Sequence, residues 1–177
     1  YVNFAEHLQN AWNPNLYFPG APNRWAPSDW TGFLTMLKAS GFNCFEFWLV
    51  PTLYDRPALR GDGVYGEFAA TMRQVKDRAQ SLGMKLKAIC VPNCLGPQWH
   101  FLCPQIPDEK RLIRELWRHW MRELAGTDII GIFPGDPGGC NRHGCNHETF
   151  VELALEMIEI ARAVNPRAEF ELGTWGT

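Results

Sequence analysis

A short apolar run, then a loop of Gly, Pro and Asn, then an amphipathic helix: the chain repeats this pattern four times. That alternation constrains its fold more than any other feature. Helices are expected over about residues 29–40, 67–82, 108–124 and 147–164. The first three each end on a glycine (Gly41, Gly83 and Gly126), the residue that best tolerates left-handed backbone past a helix end. Ser28 is placed to cap the first helix and Asn146 the fourth, and Pro166 lies just beyond the fourth. In the third, Leu112, Ile113, Leu116, Trp117, Trp120, Met121 and Leu124 recur at helical spacing.

Strands are expected over residues 42–50, 85–91, 129–133 and 168–172, with a first strand within 1–10 and a long Pro-, Asn- and Trp-containing loop after it. Strands alternating with helices imply a parallel sheet joined by right-handed crossovers. The run Ile129-Ile130-Gly131-Ile132-Phe133 is apolar on both faces, as a helix-covered sheet requires. An open doubly wound sheet and a closed barrel both have this order. No Gly-rich nucleotide fingerprint follows the first strand, and Glu46, Lys87, Glu169 and Glu171 all lie inside strands. A barrel lumen accommodates paired charges, whereas a sheet between two helical layers has little room for them. If Glu46, Lys87 and Glu171 point inward, they neutralise one another.

The expected fold is therefore α/β, a partial (β/α)8 TIM-type barrel with about five strands and four helices, in one domain over residues 1–177. The chain opens on Tyr1 rather than Met and stops soon after a strand, so it reads as the amino-terminal part of a longer barrel. On that reading it leaves a hydrophobic sheet edge open, and its compartment is not fixed by the sequence. The net charge of −2 gives no sign of a nucleic-acid partner, and no apolar run approaches membrane-spanning length. Nothing in the sequence fixes an oligomeric state.

In (β/α) barrels chemistry sits at the carboxyl ends of the strands. Those ends supply His7 and Asn10, Glu46 and Trp48, Asn93, Asp136, and then Glu171 and Trp175; the first loop adds Asn23, Arg24 and Trp25. Acids, amides and indoles at one mouth suit carbohydrate chemistry. Carboxylates protonate a leaving oxygen or hold positive charge, amides bind hydroxyls, and Trp stacks on the sugar ring. Asp136, in Pro134-Gly135-Asp136-Pro137, is the candidate catalytic or substrate-orienting carboxylate, with Glu46 or Glu171 as a second acid. The bland reading is that Asp136 caps its loop and that Glu46 and Glu171 are partners of Lys87. Trp48, Asn93, Trp175, Arg24 and Trp25 are candidate substrate-binding residues.

This layout resembles the (β/α)8-barrel glycoside hydrolases, especially the hexosaminidase-like group, which carries its key acids at the end of the fourth strand. Here that position reads Phe133-Pro134-Gly135-Asp136-Pro137. Phe45-Glu46-Phe47-Trp48 and Gly173-Thr174-Trp175-Gly176 also look like the strand ends of sugar-binding barrels. The resemblance implies hydrolysis of glycosidic bonds in a carbohydrate substrate, with no cofactor required. The chain departs from that group in having Pro137 after Asp136, where an Asp-Glu pair is usual. Two further readings remain: a metal-dependent sugar isomerase or epimerase barrel, and a non-catalytic carbohydrate-binding barrel.

Cysteines form a second constellation. Cys140 and Cys145 share the loop after the fourth strand, as C-N-R-H-G-C, and Cys94 and Cys103 flank the preceding loop. Side by side, the four could hold one structural zinc ion, with His143 and His147 as alternative ligands. Disulfides Cys94–Cys103 and Cys140–Cys145 account for the same residues in an exported protein, and unmodified thiols are the third reading. Cys44 and Cys90, within strands, are expected to be small core residues. His119 is expected on the surface, and His100 in a loop. Gly138-Gly139 precedes a helix but lacks the Lys and Ser/Thr of a phosphate loop.

Overall fold

The structure, a computed structural model, describes residues 2–3, 25–49, 64–95, 100–134, 140 and 143–173. In chain order the elements are β1 (Val2–Asn3), α1 (Pro27–Ala39), β2 (Cys44–Leu49), α2 (Val64–Ser81) and β3 (Lys85–Cys90). A hairpin of β4 (Cys94–Leu95) and β5 (His100–Phe101) follows, and then α3 (Pro107–Glu123), β6 (Ile129–Ile132), α4 (His147–Val164) and β7 (Glu169–Leu172). The main sheet has the order β1-β2-β3-β6-β7, and every neighbouring pair in it is parallel.

That order runs in one direction with no reversal. Right-handed crossovers that always step the same way place their helices on the same face of the sheet. The core agrees. Phe45 and Phe47 of β2, Leu86, Ala88 and Cys90 of β3, and Ile130 and Ile132 of β6 alternate along their strands. They pack in a single cluster with Trp30 and Leu34 of α1, Met72 and Val75 of α2, Ile113 and Trp117 of α3, and Leu153 and Met157 of α4. Glu46, Lys87 and Glu171 hold the intervening positions and so belong to the other face. The sheet is thus singly wound, not doubly wound.

The helices end as their sequences predict. Gly41, Gly83 and Gly126 all take positive φ, +89°, +66° and +86°. Asn146 caps α4, its Oδ1 accepting from the Thr149 N–H at 3.1 Å. The start of α1 differs from expectation. Pro27 is its first residue and Ala26 its N-cap, so Ser28 lies inside the first turn. Proline suits that first position because its missing N–H would have no helical partner there. Asp29 compensates from within the helix: its Oδ2 accepts the Ala26 N–H at 2.8 Å. The β4–β5 hairpin was not expected, since strands of two residues carry no periodicity to read.

Besides the ion pairs of Arg114 and Lys110 with Glu156, one buried polar contact joins α3 to α4. Trp117, 1% exposed, donates its indole N–H to the Met157 carbonyl at 2.7 Å, tying α3 to α4. Trp117→Phe keeps most of the apolar surface but loses this donor. It should lower stability by about 2 kcal/mol, read as a reduced urea midpoint with the slope unchanged.

Candidate functional site at the carboxyl ends of the strands

The pairing register brings the strand ends flush. Leu49 of β2 is opposite Cys90 of β3, Cys90 opposite Ile132 of β6, and Ile132 opposite Leu172 of β7. The segments leaving these strands therefore start from one edge. Past that edge the chain is still anchored: the Phe133 N–H donates to the Cys90 carbonyl at 2.8 Å, and the Gly173 N–H donates to the Ile132 carbonyl at 2.9 Å. The Phe133 ring lies against Gly173 so closely that a Cβ there would come within 2.4 Å of it. A side chain at residue 173 would displace the ring at the start of the segment leading to Asp136. Sequence reasoning missed this contact, because neither residue is polar and their spacing carries no motif.

Two of the expected acids are placed by one lysine. Lys87 Nζ lies 3.0 Å from Glu46 Oε2 and 2.6 Å from Glu171 Oε2. Lys87 on β3 meets Glu46 from the adjacent strand β2 and Glu171 from β7, two strands away, on the face opposite the core packed under the described helices. Glu171 is next to the strand edge, whereas Glu46 and Lys87 lie deeper, in register with each other. Contact with Glu171, more than with Glu46, raises the Lys87 pKa above the ordinary lysine value against a smaller opposing cost of burial. Both carboxylates are therefore engaged with the cation that the bland reading assigned to them. A second pair on this face, Lys85 with Glu169 at 3.1 Å, is largely exposed and contributes little to stability.

Asn93 sits just past the end of β3, 3% exposed. Its Nδ2 donates to the Leu102 carbonyl at 3.2 Å and braces the hairpin. Its Oδ1 is buried and meets no hydrogen-bond donor among the described residues. Trp25 is partly buried and packs edge-on against Trp30 at 4.7 Å and Phe33 at 5.0 Å, so its ring helps build the aromatic cluster at the base of α1. The backbone of Trp48 is in register with Ile89 on one side and Asn3 on the other. Asp136, Trp175, Arg24, His7, Asn10 and Asn23 lie outside the described residues.

The cysteines separate into two groups. No disulfide joins any of the six, so neither expected pairing is present. Cys103, Cys140 and Cys145 come together, their sulfurs all within 4.8 Å of one another. Cys94 is not in this group. It is 1% exposed on β4, and burial pushes its thiol up to about 12. Burial also raises Cys90 and Cys44 above the ordinary thiol value. Cys90 is fully buried as expected, whereas Cys44 is only partly buried. Cys103 is held by its own backbone: its N–H donates to the Glu109 carboxylate in the first turn of α3. His119 corrects the surface expectation. It is partly buried against Trp120, and burial lowers its pKa.

No family model matches the chain, and no curated protein matches it in sequence. Its backbone is similar to solved structures. A glycoside hydrolase superposes with a TM-score of 0.62 at 12% identity, over 82% of this chain and 46% of its own. An endocellulase from Pyrococcus horikoshii, solved in complex with cellotetraose, superposes with a TM-score of 0.50 at 14% identity, over 82% of this chain and 45% of its own. The chain thus spans a little under half the length of each. The class established is a parallel α/β fold of a kind that glycoside hydrolases use.

The Lys87 cluster has a pH signature. A lysine whose folded pKa is raised adds stability below its unfolded value and loses it as pH rises through the folded value. Wild-type stability should therefore decline through the alkaline range around and above 10.5 more steeply than that of Lys87→Met. At pH 7 the variant should be about 1–2 kcal/mol less stable, because it leaves two neighbouring carboxylates without their cation in a partly solvated site. Chemical denaturation at a series of pH values measures both effects.

Proposed function

We propose that this chain is part of a closed (β/α)8 barrel that hydrolyses glycosidic bonds in a carbohydrate. The observation that carries the reading is the singly wound parallel sheet, helical on one face and charged on the other, superposing over 82% of the chain on a glycoside hydrolase. A parallel sheet is ordinarily covered on both faces. Curling it into a barrel turns the charged face into a lumen, where Lys87, Glu46 and Glu171 neutralise one another.

On this reading Asp136 is the principal carboxylate, carried past the edge by the segment that Phe133 anchors. Glu171 is the better placed of the two other acids, being next to the edge, and Glu46 lies deeper. A carboxylate in contact with an ammonium suits the anionic role of nucleophile or charge stabiliser, which leaves proton donation to Asp136 or to another acid of the whole enzyme. The buried Oδ1 of Asn93 suits a hydroxyl donor. Trp48, Trp175 and Trp25 supply ring surface, and Arg24 a donor fork. Hydrolysis of this kind requires no cofactor, and the partner is the carbohydrate itself.

Asp136→Asn is the test, made in the full-length enzyme with a panel of β-linked gluco- and hexosamine oligosaccharides. Turnover should fall at least about 100-fold with KM changed little. Undiminished kcat on a substrate the wild type cleaves removes Asp136 from the mechanism. Binding without cleavage by the wild type points instead to a carbohydrate-binding barrel, and activity lost to chelator and restored by a divalent ion points to the isomerase or epimerase reading.

A further inference from the structure

We propose that Cys103, Cys140 and Cys145 bind a zinc ion through three thiolates, its fourth position open to a further ligand, and that this fastens Cys140 and Cys145 to Cys103. The proposal stands independently of the hydrolase reading.

Three sulfurs mutually within 4.8 Å are already close to a tetrahedral thiolate set. Zinc–sulfur bonds of about 2.3 Å place sulfurs roughly 3.8 Å apart, so a contraction of at most about 1 Å completes the geometry. The local backbone prepares the site. His143 and Gly144 take consecutive positive φ, 52° and 73°, and this tight reversal brings Cys145 back towards Cys140. The Cys140 N–H donates to Cys145 Sγ at 3.4 Å, the bond that supports a metal-bound thiolate. Cys103 comes from the other segment and is fixed by the Glu109 carboxylate.

Cys103 and Cys145 are buried and Cys140 is partly exposed, so the set opens to water on the Cys140 side, where a fourth ligand enters. Soft sulfur donors select zinc over magnesium or calcium. Each thiol gives its proton to solvent as its metal–sulfur bond forms, leaving the metal oxidation state unchanged. His143 and His147 are not in the sulfur cluster, and Cys94 remains in the core.

The experiment is elemental analysis of the chain expressed in zinc-supplemented medium and purified under reducing conditions, with cobalt(II) substitution as a spectroscopic readout. The wild type should carry about one zinc per chain, and its cobalt form should show an intense sulfur-to-cobalt charge-transfer band. Cys103→Ser and Cys145→Ser should each weaken metal affinity at least about tenfold, while Cys44→Ser retains it. Wild-type protein that takes up less than about a tenth of an equivalent of zinc and gives no charge-transfer band overturns the proposal. So does an equal loss of metal in Cys44→Ser.

Discussion

A parallel sheet whose crossovers all step in one direction receives its helices on one face and leaves the other without them. In this chain that constraint governs the packing of the described elements. The helical face carries the apolar residues of β2, β3 and β6. Lysine and glutamate residues on the other face would be costly under a second helical layer, because burying each charge forfeits several kcal/mol of hydration. Lys87 settles the local balance by meeting Glu46 on one side and Glu171 on the other. One cation between two anions leaves a single net negative charge on a sheet face that is neither dry nor fully open to water.

The same register that pairs Glu46 with Lys87 also levels the strand ends. The first residues past the edge are still hydrogen-bonded to their neighbours, and the fit of Phe133 against Gly173 leaves no room for a side chain between two adjacent strands. A reactive group carried a few residues beyond such an edge inherits its position from the sheet. This is why barrels vary their chemistry in the segments after the strands while their frame stays constant. Asn93 belongs to the same boundary: half of its amide braces the hairpin and the other half is left for something else to satisfy.

Much of this was legible in the sequence, for identifiable reasons. Glycines after three helices fixed the helix ends, because left-handed backbone has few other occupants. Charges inside apolar strands announced a polar face, and the ion pairs of Lys87 follow from their positions two strands apart or less. The rest depended on contacts between residues far apart in the chain. Ser28 looks like a cap until Pro27 and Asp29 supply a better one around it. Cys94 and Cys103 look equivalent on either side of one segment, and both are buried, but only Cys103 comes close to Cys140 and Cys145. His119 reads as surface beside Arg118, yet its ring packs on Trp120.

The cysteine cluster and the acid-bearing segment are linked by connectivity. The chain leaves the sheet at Phe133 and Pro134, and Cys140 stands six residues after Pro134 in the sequence. The zinc ion proposed at the three sulfurs would tie Cys140 and Cys145 to Cys103, which follows the β4–β5 hairpin. The contact of Phe133 with Gly173 and the sulfur cluster that includes Cys140 thus stand on either side of that stretch of sequence.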